Sequence, residues 1–526
     1  MQTRLSTIAK EKSLSKIICL CCIILAAFLF YVMNATKHGL WYDEAVEYYY
    51  SKFLKGTVPG GLGTTNMYER IRITYQPPLY NVLMFIWLRV FDSEFTFRLA
   101  GILITIAGSI GVFFAINEML PEGIWSNLGT LFYLFSYGTI YYALECAEYN
   151  LMMCFVSWTV FSFLRVLRKN DRSSIICFLV FSCLSVYSQY GAAFIVLGMG
   201  LTLMIRFILE KDFLRLKELL GYGIAVFLIA ILPLLFLFII PQIKHQEITS
   251  ISHVPVFVRG FIVDFFIGGK ETLEAMFGHK TVYGVLFLVI ICMISLVFCF
   301  KKLIYPFIAV GFAWITYFFA VCCSFYGNKI WDKESIGSMN LGDRYSFFFI
   351  PPIVILLTVS LGLLTVYLKD KHISFAGISA VFFTLCITIL CSFEICRTVI
   401  SERTKTDDDV RELVLEWYDR GLYDSKTLIF QWDDALFNYY LVHDDRYRQS
   451  YSSSVESSDL WMRTADYEEV YDKLSEMGYL TTEEFYYVSS NIKDNPALLS
   501  VMKDAGYEAE EIYSGGAKLL HMTKSI

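Results

Sequence analysis

Ile17-Ile-Cys-Leu-Cys-Cys-Ile-Ile-Leu-Ala-Ala-Phe-Leu-Phe-Tyr-Val32 is an unbroken apolar run, preceded by Arg4, Lys10, Lys12 and Lys16. A basic flank and an apolar segment can also make a signal peptide, but no small-residue cleavage site follows and many similar runs do. The stretch therefore reads as a first membrane span. Runs of comparable length lie near 97–119, 125–144, 150–166, 174–191, 192–208, 219–240, 282–300, 304–325, 345–367 and 374–396, giving eleven spans in all. Residues 77–91 are apolar too, but open on two prolines and carry Arg89, so they read as a helix lying on the membrane surface. With that helix left out of the count, Arg165/Arg168/Lys169/Arg172, Arg206/Lys211/Arg215/Lys217, Lys301/Lys302 and Lys369/Lys371 all fall on the side of the basic N-terminus. By the positive-inside rule the N-terminus is cytoplasmic and the C-terminal segment extracytoplasmic, in a multi-pass protein of the plasma membrane.

Composition agrees. Of 526 residues 56% are hydrophobic and 18% charged, against roughly 25% charged in soluble domains, and the mean hydropathy is +0.52. A soluble enzyme is excluded. Residues 397–526 hold 26 Asp and Glu against 14 Lys and Arg, whereas residues 1–396 hold 24 against 30. The chain thus divides into a membrane body, 1–396, and an acidic soluble domain, 397–526. Such a tail argues against a nucleic-acid partner, which needs clustered Lys and Arg. All 14 cysteines lie between Cys19 and Cys396, mostly in apolar runs, where they act as buried hydrophobes.

Three segments remain outside: 34–96, 241–281 and 326–344. The first contains Thr57-Val-Pro-Gly-Gly-Leu-Gly-Thr-Thr65, a mobile glycine-rich loop without the Gly-Lys-Ser/Thr of a phosphate-binding P-loop. No internal repeat occurs. The tail reads as a small α/β domain. Thr406 or Asp407 caps a helix with the apolar stripe Val410, Leu413, Val414 and Trp417, stopped by Gly421. Strands are expected at 427–431, 485–489 and 517–522, with helices near 433–442, 466–478 and 497–505.

Polar residues gather at the outer ends of the spans. Trp41-Tyr-Asp-Glu-Ala45 puts Asp43 and Glu44 at the outer boundary. A partly shielded carboxylate there can act as a general base on a hydroxyl; alternatively Trp41 and Tyr42 anchor the interface and Asp43 caps the next helix. Tyr75-Gln-Pro-Pro-Leu-Tyr80 opens the surface helix, and Phe91-Asp-Ser-Glu-Phe-Thr-Phe-Arg98 closes it. Gly337-Ser-Met-Asn-Leu-Gly-Asp-Arg-Tyr345 leads into a span bearing Pro351 and Pro352. Arg344 at that mouth either grips a phosphate bidentately or pairs with Asp343.

This order of motifs resembles the GT-C superfamily of polyprenyl-phosphate-sugar-dependent membrane glycosyltransferases, in the branch with protein O-mannosyltransferases, lipid A aminoarabinose transferases and lipopolysaccharide galacturonosyltransferases. The matching elements are Asp43-Glu44, Pro77-Pro-Leu-Tyr80, Ser93-Glu94 with Arg98, and Arg344-Tyr345 with Pro351; they span the membrane body in outline to about Gly362. Leu144-Glu-Cys-Ala-Glu-Tyr-Asn150 is similar to a further family segment at Glu145 and Tyr149. Three positions depart from it: Gln76 replaces a Lys or His before the prolines, Ala147 replaces an Arg, and Gln189 stands where relatives often have His.

The resemblance implies a polytopic α-helical fold and a sugar passed with inversion from a polyprenyl phosphate to an extracytoplasmic glycan, lipid or protein. Asp43 is the implied catalytic base. Arg344 meets the phosphate, Tyr345 orients it, and Glu44, Tyr80, Glu145, Tyr149 and Gln189 contact substrate. Metal binding stays open: a divalent cation is an option, but His38, His245, His253 and His279 show no zinc-type spacing. Glu145 and Glu148 on a short turn suit backbone or tyrosine partners. A polysaccharide polymerase or ligase using Arg259 with His245 and His253 is one alternative. A lipid-linked oligosaccharide transporter is another, though it predicts mid-span charges, of which the clear spans here have almost none; a ligand sensor is a third. Tyr467, Tyr471, Tyr486 and Tyr487 of the tail stack on sugar rings or form its core.

Overall fold

The computed structural model describes residues 2–37, 39–58, 63–73, 76–245, 260–323, 325–326, 344–403, 410–429, 434–443, 455–457, 467–490, 496–515 and 517–525. They form two compact units. One comprises Met1–Asn34, Ile71–Tyr80 and Arg98–Ile400; the other Ala35–Arg70, Asn81–Phe97 and Ser401–Ile526.

The first unit is helical, as a chain in lipid must be when every backbone N–H and C=O needs an internal partner. All eleven apolar stretches are helices. Among the described residues eight are long and apolar enough to cross a membrane, or nine if a bent pair is one span. The difference from eleven has local causes. The 125–144 stretch breaks into Trp125–Leu134 and Tyr137–Ala143, because the Ser136 hydroxyl turns back to the Tyr133 carbonyl and to Thr139. The freed Leu134 carbonyl accepts from the buried Tyr31 hydroxyl. Arg172–Ser188 is short at 17 residues. Val282–Phe298 follows the amphipathic Phe261–Phe277 at a bend of 118°.

Several hydroxyls inside the spans are satisfied within their own helices: Ser157 donates to the Met153 carbonyl and Ser185 to that of Phe181, both at 2.8 Å. Thr159 and Ser185 also meet between neighbouring helices at 3.1 Å. Helices Ala192–Leu209 and Phe300–Cys322 approach closely, since a Cβ at Gly198 would lie 2.3 Å from the Ala309 carbonyl oxygen and 3.2 Å from the Ala313 methyl. Packing through small residues suits lipid, where apolar surface gives no drive for helix association. The helical stretch Phe213–Lys244 has almost no buried residue, its side chains being partly or fully exposed. It carries Pro233 between the wider turns Phe227–Ile231 and Leu235–Ile239, where the ring denies a backbone donor and Tyr187 donates to the Ala230 carbonyl at 2.7 Å.

The second unit joins Ala35–Arg70 and Asn81–Phe97 to the C-terminal residues. Its sheet has five strands in the order Val455–Ser457, Thr427–Ile429, Glu484–Ser490, Ala517–Lys524, Tyr507–Ser514. The first three are mutually parallel and the last two antiparallel. Three strands lie where the alternation places them. Tyr507–Ser514 escaped notice because Glu508, Glu510 and Glu511 make it read as polar; it is an edge strand, where charge prevents unwanted pairing. Helices Asp434–His443, Tyr467–Glu476 and Pro496–Asp504 match expectation. Helix Arg411–Asp419 buries Leu413, Val414 and Trp417 behind Gly421, whose φ is 70°. Thr406 and Asp407 lie outside the described residues. Tyr487 belongs to the core with Phe485, Leu474 and Val501, Tyr467 and Tyr471 are exposed, and Tyr486 stacks on His521 at 4.7 Å.

In the same unit helix Tyr42–Lys52 ends on Arg70, which is fully buried. Its guanidinium donates to the Tyr49 carbonyl at 2.8 Å and to that of Tyr50 at 3.4 Å, a cation set on the negative end of a helix. Arg70→Met should cost about 2 kcal/mol of stability, seen as a lowered melting temperature in detergent; an unchanged melting temperature contradicts the assigned role.

Candidate functional site

Each unit assembles part of the residues singled out above. In the membrane unit the cluster centres on the turn between Tyr137–Ala143 and Tyr149–Lys169. Glu145 and Glu148 there are 1% and 2% exposed. The turn is tight, with the Ala147 N–H on the Glu145 carbonyl at 3.1 Å, and the Asn150 amide reaches the Tyr142 carbonyl at 3.3 Å. The second span crosses it so closely that a Cβ at Gly101 would sit 2.5 Å from the Asn150 side-chain nitrogen and 3.5 Å from the Glu145 carbonyl oxygen.

Tyr142 and Tyr149 pack at 4.5 Å between ring centres, and Tyr142 meets Phe347 edge-on at 5.4 Å. Tyr142 feels the charges of Glu145, Glu148 and Arg344; Tyr149 feels those of Glu148 and Arg344. Arg344 begins the short 3-10 turn Arg344–Phe349, ahead of the span Ile350–Asp370 with its prolines in the first helical turn. Its guanidinium lies over the Tyr345 ring at 5.6 Å. Two buried carboxylates and one arginine thus lie near the same tyrosine pair at the ends of apolar helices, where an uncompensated charge is costly.

Gln189 is a brace. Its amide donates to the Tyr326 hydroxyl at 2.6 Å and its carbonyl accepts from the Gly191 N–H at 2.6 Å, while Tyr326 donates to the Tyr345 carbonyl at 3.3 Å. Burial pushes the Tyr326 hydroxyl up, so it keeps its proton at neutral pH and remains a donor. A second brace runs through Gln242, whose amide donates to the Ile71 and Gln76 carbonyls at 2.8 and 2.9 Å and whose carbonyl accepts from Tyr190 at 2.9 Å. It holds the entry to the double-proline segment. Tyr80 is buried at the start of Leu79–Trp87, a helix of nine residues. Arg98 is also buried.

In the second unit Asp43 and Glu44 occupy the first turn of Tyr42–Lys52. The carboxylate that closes the helix start is Glu44's, accepting the Trp41 N–H at 3.1 Å; an indole can only donate, so this is half a capping box. Glu44 is buried and Asp43 half-exposed. One turn further, buried Glu47 accepts from the Asn81 amide at 3.0 Å, and that amide also reaches Ser51 at 3.2 Å. Neither Glu47 nor Asn81 was singled out from sequence, though Glu47 follows Asp43 by four residues, one helical turn, and Asn81 directly follows Tyr80. Tyr142 and Tyr326 were missed because a tyrosine in an apolar run reads as core.

Among the described residues no three His, Cys, Asp or Glu are grouped to hold a metal ion. His38, His253 and Arg259 lie outside them, as do Gly337–Asp343 and Tyr75.

No protein-family model matches the sequence, and no curated protein does. Solved structures do match. ArnT from Cupriavidus metallidurans in the apo state aligns over 95% of this chain and 97% of its own at 12% identity, with a TM-score of 0.56. The same protein bound to undecaprenyl phosphate aligns over the same shares at 12% identity and 0.53. An oligosaccharyltransferase from Archaeoglobus fulgidus, in complex with Zn and sulfate, covers 95% of this chain and 73% of its own at 10% identity and 0.42, too loose to argue from. The fold is similar to that of ArnT over 95% of the chain.

Tyr326→Phe strips the Gln189 amide of its acceptor and the Tyr345 carbonyl of its donor. It should lose about 1–3 kcal/mol, read as a lower melting temperature in detergent; a variant as stable as wild type contradicts the brace.

Proposed function

We propose that this chain, which has the GT-C fold, is a membrane glycosyltransferase that takes a sugar from a polyprenyl phosphate and passes it to an extracytoplasmic acceptor. The observation that carries the reading is the buried cluster of Glu145, Glu148, Tyr142 and Tyr149 around Arg344, in a chain that aligns along the whole of a protein solved with undecaprenyl phosphate. Positive-inside loops support a cytoplasmic N-terminus and an outer C-terminal domain in a plasma-membrane protein.

In this reading the bond from the anomeric carbon to the phosphate oxygen breaks with its electron pair leaving on the phosphate. Arg344 meets that charge as a fixed, always protonated cation, and Tyr345 orients the phosphate. An acceptor hydroxyl attacks the anomeric carbon from the opposite face, inverting it, and its proton passes to Asp43. A phosphate met by arginine leaves without a separate general acid. Glu44 holds the first turn on which Asp43 sits. Glu145 and Glu148, with Tyr149, order the sugar or a cation, and Gln189 acts through Tyr326 on the backbone of Tyr345.

Reconstituted with radiolabelled polyprenyl-phosphate sugars, Asp43→Asn should lower transfer by about 10²-fold or more while still binding donor. Arg344→Ala should weaken donor binding as well. Wild-type turnover by Asp43→Asn sinks the assignment of the base.

A further inference from the structure

Within the second unit, two residues of the C-terminal domain hold the backbone that leads into the Asp43 helix. The Tyr440 hydroxyl accepts the Leu40 N–H at 2.6 Å and points to a Glu94 carboxylate oxygen at 3.4 Å. Arg411 pairs with the same Glu94 at 3.8 Å and donates to the Thr36 carbonyl at 3.3 Å. Leu40 and Tyr440 are buried. Beside them Tyr439 packs edge-on against Tyr48 at 4.9 Å, on the buried face of the same helix. Tyr48 in turn donates to Asp92 at 2.9 Å, and Asp92 pairs with Lys52 at 2.6 Å.

A helix start leaves backbone N–H groups without helical partners, and whatever accepts them fixes the direction of the first turn. Here the Trp41 N–H goes to Glu44, inside the helix. The Leu40 N–H goes to Tyr440, 400 residues away in sequence. Consecutive amides are thus pinned by two different parts of the chain, two and three residues before Asp43. Glu94, at the far end of the first outer segment, ties to the same hydroxyl and to Arg411.

We infer that Tyr440, with Arg411, is a latch through which the C-terminal domain sets the position of Asp43; both are positioning residues for sugar transfer. The inference rests on the proposed role of Asp43. Its chemical logic is that a base displaced by about 1 Å loses about 10²-fold in rate without losing substrate affinity. The acidic domain is then part of the catalytic apparatus through its backbone contacts, whatever else it binds.

Tyr440→Phe tests this in the full-length protein, because it deletes only the hydroxyl and keeps the ring against Tyr439. Two quantities are measured in proteoliposomes: kcat and KM for transfer, and deuterium uptake of the 40–45 amides. The latch predicts at least about tenfold lower kcat, acceptor KM and donor binding unchanged, and faster exchange confined to 40–45, alongside the modest fall in melting temperature that an unpaired buried Leu40 N–H brings. Glu94→Gln added to Tyr440→Phe should lower kcat by less than the product of the two single effects, since both act through one network. Unchanged kcat or unchanged exchange overturns the latch, as does faster exchange that spreads across the chain beyond 40–45. Should Tyr440→Phe not fold, Arg411→Gln at the more exposed end of the same network takes its place under the same criteria. A wild type that transfers from no donor defeats the reading of Asp43 instead, and the exchange measurement alone then decides whether Tyr440 holds the helix start.

Discussion

Charge buried at the ends of apolar helices is the constraint on which the membrane unit turns. Glu145 and Glu148 are almost wholly inaccessible, and carboxylates so placed persist only where cations and hydrogen-bond donors compensate them. Arg344 is a cation near Tyr142 and Tyr149, the ring pair beside these carboxylates. The surroundings follow from keeping that group in register: Gly101 lets a helix pass against the turn, and Gln189 with Tyr326 fixes the carbonyl beside Arg344. The prolines at the start of Ile350–Asp370 stand where a helix can lack donors. A protein that only needed to span a bilayer would avoid this expense.

The second unit solves a different problem, that of holding a carboxylate steady on a short helix outside the spans. Helix Tyr42–Lys52 has only 11 residues, too few to be stable alone. It is fixed at its start by Glu44 and Tyr440, in its middle by Asn81 on Glu47, and at its end by Arg70. These ties come from four separate parts of the sequence. Asp43, like Tyr42, Val46 and Lys52, is partly exposed on a helix otherwise buried, as the base proposed for an acceptor hydroxyl has to be.

Much of this was legible in the sequence. Apolar runs announced the helices because lipid permits little else, and the alternation of Phe485, Tyr487 and their neighbours announced a sheet. What hid was of two kinds. Breaks such as that at Ser136 depend on one hydroxyl competing for a carbonyl, which hydropathy does not register. Partnerships over long separations, such as Leu40 with Tyr440 or Gln189 with Tyr326, leave no periodic trace. Glu44 shows the limit: an Asp-Glu pair reads as two candidates, and only the geometry gives one of them to the backbone.

The central claim is that a polyprenyl phosphate donates a single sugar. It is met most directly by wild-type protein in proteoliposomes carrying polyprenyl-phosphate sugars labelled in both lipid phosphate and sugar. The account predicts free polyprenyl phosphate appearing in equal amount to sugar gained by an outer acceptor, with the anomeric centre inverted. Doubly labelled donor that crosses the bilayer intact, or oligosaccharide blocks moved from a lipid diphosphate, would contradict it.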